Sequence, residues 1–237
     1  MSSSPRTRWA TEPPIDYDAM VTEKSPRSRG PRSDVDVREL ILDVTEAMAG
    51  ETNPDAVSLR AIAREANVAP RALSYHFATK RSLLEAVVRR RSGVISENIL
   101  ERLDALAGLP GEVSVRAVVE AVLVPIVELI EREPVGGVRW MRVFSTLSRD
   151  DDPTHVVEVG FDPEVARRYF ELIERASGVV RDEGVRRRIG LGMLSMLEVL
   201  SRVDHPAYGH PLQGDRLDPE FVHQLLIFTS AGIAGHI

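Results

Sequence analysis

Residues 58–84 read SLRAIAREANVAPRALSYHFATKRSLL, and this stretch decides the fold. Leu59, Ile62, Ala63 and Ala66 recur at the i, i+3, i+4, i+7 spacing of one helical face. Asn67 follows, a residue that tolerates a left-handed backbone and so can turn the chain sharply. Val68 plugs the corner. Pro70 then opens a second helix, at a position where a missing N–H costs little. That helix buries Leu73 and Phe77 and directs Arg71, Ser74, Tyr75 and His76 elsewhere. Two short helices joined by a tight turn, the second polar on its outer face, suit the width of a DNA major groove.

The run IAREANVAPRALSYHFATKRSLL over residues 62–84 resembles the DNA-binding domain of the TetR family of transcriptional regulators. In that family an aromatic-rich recognition helix ends in a Phe, and a short link leads to a lysine that opens the next helix. Tyr75, His76, Phe77, Ala78, Thr79 and Lys80 stand in those places. The resemblance at motif level covers roughly residues 35 to 90; beyond it, only length and an all-helical pattern are shared. Three positions depart from the family. Asn67 stands where glycine is usual. Ala69 replaces a Ser or Thr cap, at a cost of about 1 kcal/mol. Ser74 occupies the place of a common Tyr, with Tyr75 beside it.

Composition bounds the rest. The chain has 237 residues, 43% of them hydrophobic and 28% charged, the profile of a soluble globular protein. It has no cysteine, which removes cysteine zinc fingers, disulfides and thiol redox chemistry from consideration. No signal-peptide h-region and no membrane-length apolar run is present, so a cytoplasmic protein without membrane contact is expected, nucleoid-associated when DNA-bound. The net charge of −6 conceals an uneven distribution. From Ser58 to Ser92, Arg60, Arg64, Arg71, Lys80, Arg81, Arg89, Arg90 and Arg91 oppose only Glu65 and Glu85, a local +6 on a body of −12. Such a dipolar chain orients its basic end toward phosphate.

The pattern predicts an all-α architecture: an N-terminal three-helix helix-turn-helix domain, then a helical bundle for ligand binding and dimerisation. Residues 1–33, rich in Ser, Pro and Arg, are expected to be a disordered arm. Their cluster Lys24, Arg27, Arg29 and Arg32 is placed either to enter a minor groove or to serve no role. The DNA-binding domain spans 34–92. Its first helix runs from about Asp34 to Ala49 on a stripe of Val37, Leu40, Ile41, Val44 and Met48. Ser58 suits an N-cap, and the fourth helix runs from Lys80, capped by Thr79, to about Ala107. The domain 93–237 continues with helices over about Val113–Glu133, Val138–Ser148, Asp162–Asp182, Val185–Val203 and Asp218–Gly232. Pro125 removes one bond from the most apolar of these and is expected to kink it.

Candidate sites follow from these placements. Arg71 suits a bidentate bond to a guanine edge, while Ala72 and Ser74 allow close approach and Ala72 can meet a thymine methyl. The resemblance implies phosphate contacts for Tyr75 and His76. Ser58 and Lys80, at helix starts, sit where phosphate is favoured. Trp140, Met141, Phe144, Tyr169, Phe170, Met193 and Met196 are the residues suited to an adaptable apolar ligand cavity, or else to ordinary core. Small residues in the last two helices (Gly190, Gly192, Ser195, Ser230, Ala231, Gly232, Ala234), with Leu194, Leu197, Leu225, Leu226 and Phe228, suit a two-fold four-helix interface, the homodimer the resemblance implies. Asp150–Asp152 with His155, and His205 with His210, lack the spacing of a metal site. No catalytic constellation and no cofactor motif is present.

The expected function is therefore a ligand-responsive transcriptional regulator. It would be a repressor, binding a palindromic double-stranded DNA operator as a homodimer and released by an apolar or aromatic small-molecule effector. Two other classes stay open at this point: a helix-turn-helix used for protein contact with DNA binding lost, and an all-α small-molecule enzyme.

Overall fold

The computed structural model describes residues 34–52, 54–149, 162–178 and 182–235, and among these it is helical almost throughout. The arm at 1–33, its basic cluster, and the Asp150–Asp152/His155 group lie outside the described residues. Four helices form the N-terminal end: α1 (Asp34–Glu51), α2 (Leu59–Glu65), α3 (Pro70–His76) and α4 (Lys80–Ala107). The body adds α5 (Val115–Arg132), α6 (Pro134–Arg149), α7 (Pro163–Ser177), α8 (Glu183–Leu200) and α9 (Pro219–Ala234). A single helix, α4, runs through both parts without a break at 92/93.

Local chemistry explains most boundaries. The Thr79 side chain accepts from the Ser82 amide (3.0 Å) and the Ser82 hydroxyl oxygen accepts from the Thr79 amide (3.2 Å), a reciprocal cap that starts α4. Ser114 caps α5 by accepting from the Ala117 amide at 3.2 Å, so α5 begins two residues later than its apolar pattern suggests. Asp162 and Asp218 cap α7 and α9 ahead of Pro163 and Pro219.

Further boundaries differ from the sequence expectation. Helix α6 begins at Pro134 rather than Val138, taking in Gly136 and Gly137. Gly137 permits contact: a Cβ there would lie 2.8 Å from Ile130 Cα. Helix α7 stops at Ser177, not Asp182, since Gly178 takes a left-handed conformation at φ +67° and closes it. Helix α8 then starts under an Asp182 cap and ends at Leu200. The 204–217 loop holds a short 3-10 turn, Pro206–Tyr208, and a two-residue-per-strand hairpin, β1 (Leu212–Gln213) paired antiparallel with β2 (Arg216–Leu217).

Helix α5 is the centre of the body, packed against α4, α6, α7 and α9, while α8 lies between α6 and α9. Nine of its eighteen residues are buried, Pro125 among them. The far end of α4 is held by Arg175 of α7, whose guanidinium donates to the carbonyls of Ala107 (3.2 Å), Leu109 (3.1 Å) and Gly111 (2.6 Å). At the near end α1 packs on α6 as well as on α4. Its deepest residues are Ile41, Leu42, Thr45 and Ala49, a stripe rotated from the expected one. Val37, Leu40, Val44 and Met48 are only partly buried against the core.

Candidate nucleic-acid interface

The helix-turn-helix is assembled from inside outward. Ile62, Ala63 and Ala66 of α2 and its C-cap, with Leu73 and Phe77 of α3, are buried in the core. The Ser58 hydroxyl oxygen accepts from the Ala61 amide at 3.1 Å and starts α2. Asn67 takes φ +51° at the corner, the left-handed turn that its side chain tolerates better than a bulky one. Ala69 offers no side-chain cap, and Pro70 opens α3 without one.

With Leu73 and Phe77 pinned, helical geometry sends Arg71, Ser74 and Tyr75 to the opposite face. All three are exposed; Tyr75 is 77% accessible. Ala72 and His76 flank this face half-buried, and the Tyr75 and His76 rings meet edge to face at 5.2 Å. The Ser74 hydroxyl donates to the Pro70 carbonyl (3.1 Å), so its oxygen still has acceptor capacity. Arg38 of α1 lies over the Phe77 ring at 5.5 Å and braces the recognition helix from behind.

Lys80 has a second task that no local pattern signals. Its ammonium donates to the Asp55 carbonyl at 2.7 Å, across 25 residues. This ties the Pro54–Ala56 turn to the start of α4. Two of the three ammonium protons remain for other acceptors.

The basic cluster divides once its partners are known. Arg90 pairs with Asp43 (2.8 Å), Glu39 (3.5 Å) and Glu46 (3.8 Å), and Arg91 with Glu46 (2.9 Å) and Glu133 (2.5 Å). Arg81 and Arg89 both reach Glu85, at 2.9 and 3.4 Å. These four brace α4 against α1, the C-cap of α5 and itself. Arg60, Arg64 and Arg71, with Lys80, form no ion pair with a described residue, and they cluster at the helix-turn-helix.

The seven residues suited to a ligand cavity separate into two groups. Trp140, Met141 and Phe144 lie buried on α6, against which the α8 of Met193 and Met196 packs. The Trp140 indole donates to the Val88 carbonyl of α4 at 2.9 Å, and its ring lies 5.2 Å from that of Phe144. Tyr169 and Phe170 sit on α7, which packs on α4 and α5 instead. None of the seven lines the cavity walled by Glu51, Arg142 and Glu198 or the one walled by Val115, Ile227 and Ser230. The Tyr169 hydroxyl is buried and has no hydrogen-bond partner among the described residues.

In the last two helices Gly192 and Ser230 are buried within the chain. A Cβ on Gly192 would lie 2.8 Å from Ile233 Cγ1, and Leu197, Leu225 and Leu226 are buried. What these helices leave outside is Leu191 (68% accessible), Phe228 (65%) and Ile227 (39%), with Ala231 and Gly232 exposed beside them. Among the described residues no group of histidines and acids could hold a metal ion, and no helix is long and apolar enough to cross a membrane.

Residues 41–87 match the family described as bacterial regulatory proteins, tetR family. That segment contains all of α2 and α3 and the interface just described. Solved structures with a similar chain path include a TetR-family transcriptional regulator from Streptomyces coelicolor (20% identity, 85% of this chain and 99% of that one, TM-score 0.48). A transcriptional regulator of the TerR/AcrR family from Aquifex aeolicus VF5 is also similar (16% identity, 81% and 96%, TM-score 0.45). So is a TetR transcriptional regulator from Rhodococcus sp. RHA1 (18% identity, 85% and 97%, TM-score 0.42). No curated protein matches the chain.

Proposed function

We propose that this chain, whose N-terminal domain belongs to the tetR family of bacterial regulatory proteins, is a homodimeric, effector-released repressor. One observation carries the reading. The pinning of Leu73 and Phe77 leaves Arg71, Ser74 and Tyr75 exposed on one face of α3, next to cations that have no carboxylate partner among the described residues. On duplex DNA, Arg71 would read a base edge, with Ala72 and Ser74 at close approach. Tyr75, His76, Ser58 and Lys80 would hold phosphates and fix the register.

The exposed Leu191, Ile227 and Phe228 support dimerisation through α8 and α9, since an apolar face of this kind needs cover. A two-fold pair of reading heads matches a palindromic operator with half-sites a turn, or a small multiple, apart. The effector would enter the body near Trp140, Met141, Phe144, Tyr169, Phe170, Met193 and Met196. These residues pack closely without ligand, so binding there works by selecting a more open state. The Tyr169 hydroxyl, which has no partner among the described residues, is the polar group that such a ligand would engage.

Selection of bound duplexes from a random pool tests the core of this. Recovery of a palindrome supports a dimeric sequence-specific regulator. Recovery of nothing above background at low salt, from protein stripped of small molecules, overturns it in favour of a protein-contact role.

A further inference from the structure

Lys80 is the first residue of α4, and the reciprocal cap of Thr79 and Ser82 fixes its backbone. Its side chain is a flexible stem ending in a point charge, with many rotamers open to it. One bond ends that freedom: the ammonium donates to the Asp55 carbonyl at 2.7 Å. We propose that the Pro54–Ala56 turn is the positioning element of Lys80, holding its ammonium ready for a DNA phosphate, and that the body sets this hold through α6.

The turn is built to keep its carbonyl in place. Pro54 and Val57 are buried on either side of the exposed Asp55 and Ala56. The Val57 amide closes the turn on the Pro54 carbonyl at 3.3 Å, and the proline ring fixes its own φ. An acceptor carried between two buried anchors orders the donor that it holds. The lysine thus meets DNA with part of its side-chain entropy already lost, which removes that cost from binding. Only one ammonium proton is committed to Asp55, so the grip on phosphate is prepared and not blocked.

The anchors of the turn belong to the body as much as to the reading head. The turn packs on both α1 and α6. Pro54 shares with Arg142, Ser145 and Thr146 of α6 the wall of a polar cavity of about 380 Å³, which leaves the turn room to shift. Four residues before Pro54, the Gly50 carbonyl accepts from the Arg142 guanidinium. The same guanidinium donates to the Ser201 carbonyl at 3.2 Å, just past α8. Ser145 donates to Glu198 of α8 at 2.6 Å. Burial pushes that carboxyl toward its neutral form, but the hydrogen bonds from Ser145 and Arg202 outweigh this and keep it ionised. A displacement of α6 on α8 therefore reaches the Asp55 carbonyl, and with it the Lys80 ammonium, by a route that needs no bending of α4. Linkage makes the effect reciprocal: phosphate gripped by Lys80 favours the arrangement of α6 that holds the lysine.

Lys24 and Lys80 are the only lysines in the sequence, so Lys24→Arg leaves one lysine to follow in the full-length protein. NMR relaxation of its Cε, in protein labelled with 13C-lysine, reports whether the stem is held. The expected result is an ordered Cε that becomes mobile in Pro54→Gly. Because the role rests on the DNA-binding reading, affinity is measured separately on the duplex recovered by selection, at a temperature where thermal melts show every variant folded. Two double-mutant cycles pair Lys80→Ala with Pro54→Gly and with Arg142→Ala. Pro54→Gly and Arg142→Ala should each weaken binding by about twofold to tenfold, the range set by ordering one long side chain. Each loss should vanish once Lys80 is alanine. Losses that persist in full beside Lys80→Ala overturn the proposal, since general damage to the fold does not depend on the lysine. So does a Cε as mobile in the parent as in Pro54→Gly. A loss that vanishes for Pro54→Gly but persists for Arg142→Ala supports the turn and overturns its control by α6. A lysine held in the parent and freed in Pro54→Gly, in a protein that binds no duplex, supports the hold on the ammonium and sinks the DNA-binding reading instead.

Discussion

Gly50 and Arg139 are packed so closely that a Cβ on the glycine would lie 2.3 Å from the arginine Cβ. This is where the last turn of α1 meets α6. The arginine cannot simply swing away, because the clash is with the base of its side chain and its Cα lies 2.7 Å from the same point. Gly50→Ala should therefore destabilise the protein by about 1–3 kcal/mol through overpacking. Urea unfolding checks this. An unchanged midpoint would mean that α1 ends loosely on α6.

Arg71→Ala and Lys80→Ala should separate base reading from phosphate holding. The first is expected to cost about 1–3 kcal/mol on the selected duplex, relax one base position and leave random DNA binding intact. The second should weaken binding to all sequences and lower the salt slope by about 1. It should also reduce folding stability, because the Asp55 carbonyl loses its charged donor. Anisotropy titrations over a salt series, beside thermal melts, measure both. Equal losses on specific and random DNA for both variants would reverse the assignment.

Tyr169 is 4% exposed, and burial pushes its hydroxyl ionisation far above the ordinary value. With no partner among the described residues, that hydroxyl pays a desolvation cost that no hydrogen bond there offsets. Tyr169→Phe should keep or raise stability, by up to about 1 kcal/mol. A large loss in a denaturant melt would show that the hydroxyl is satisfied in solution.

Glu198 titrates below its ordinary value of 4.5. A carboxyl with a lower pKa when folded adds stability at pH values above its unfolded pKa, and that stability fades as pH falls through the folded value. Glu198→Gln should accordingly be slightly less stable at pH 7, by under about 1 kcal/mol given its partial exposure. Its stability should also decline less steeply between pH 6 and pH 4 than that of the parent. Parallel pH–stability curves would remove Glu198 as a contributor.

Phe228 is 65% exposed, so Phe228→Glu removes no core contact. On the dimer reading it should convert the protein to monomer, seen by sedimentation, and weaken palindrome binding far more than half-site binding. A parent that already sediments as a monomer would end that reading.

The sequence announced whatever is set by neighbours along the chain. Pro70, Thr79 and the spacing of Leu73 and Phe77 fix α3 and the start of α4 through local rules, and the structure follows them. Where a residue's role depends on a distant partner, the pattern was silent or misleading. Helix α6 starts four residues before the expected Val138 and includes two glycines, and the nearness of Ile130 explains the one at Gly137. The charge of Arg90 and Arg91 looked available for phosphate, but Glu39, Asp43, Glu46 and Glu133 converge on it from two other helices. The polar cavity had no signature either, since its wall comes from segments about 150 residues apart in the chain, with Glu51 at one extreme and His205 at the other.

The single 28-residue span of α4 also has a mechanical consequence. Arg175 anchors its far end to three carbonyls, which makes that end a fulcrum and the rest a lever of about 42 Å. A pivot of about 5° there sweeps Lys80 through roughly 3.7 Å, close to the rise per nucleotide along the axis of a DNA duplex, about 3.4 Å. Rearrangements in the body too slight to alter its outline are thus enlarged to a full nucleotide step at the reading head.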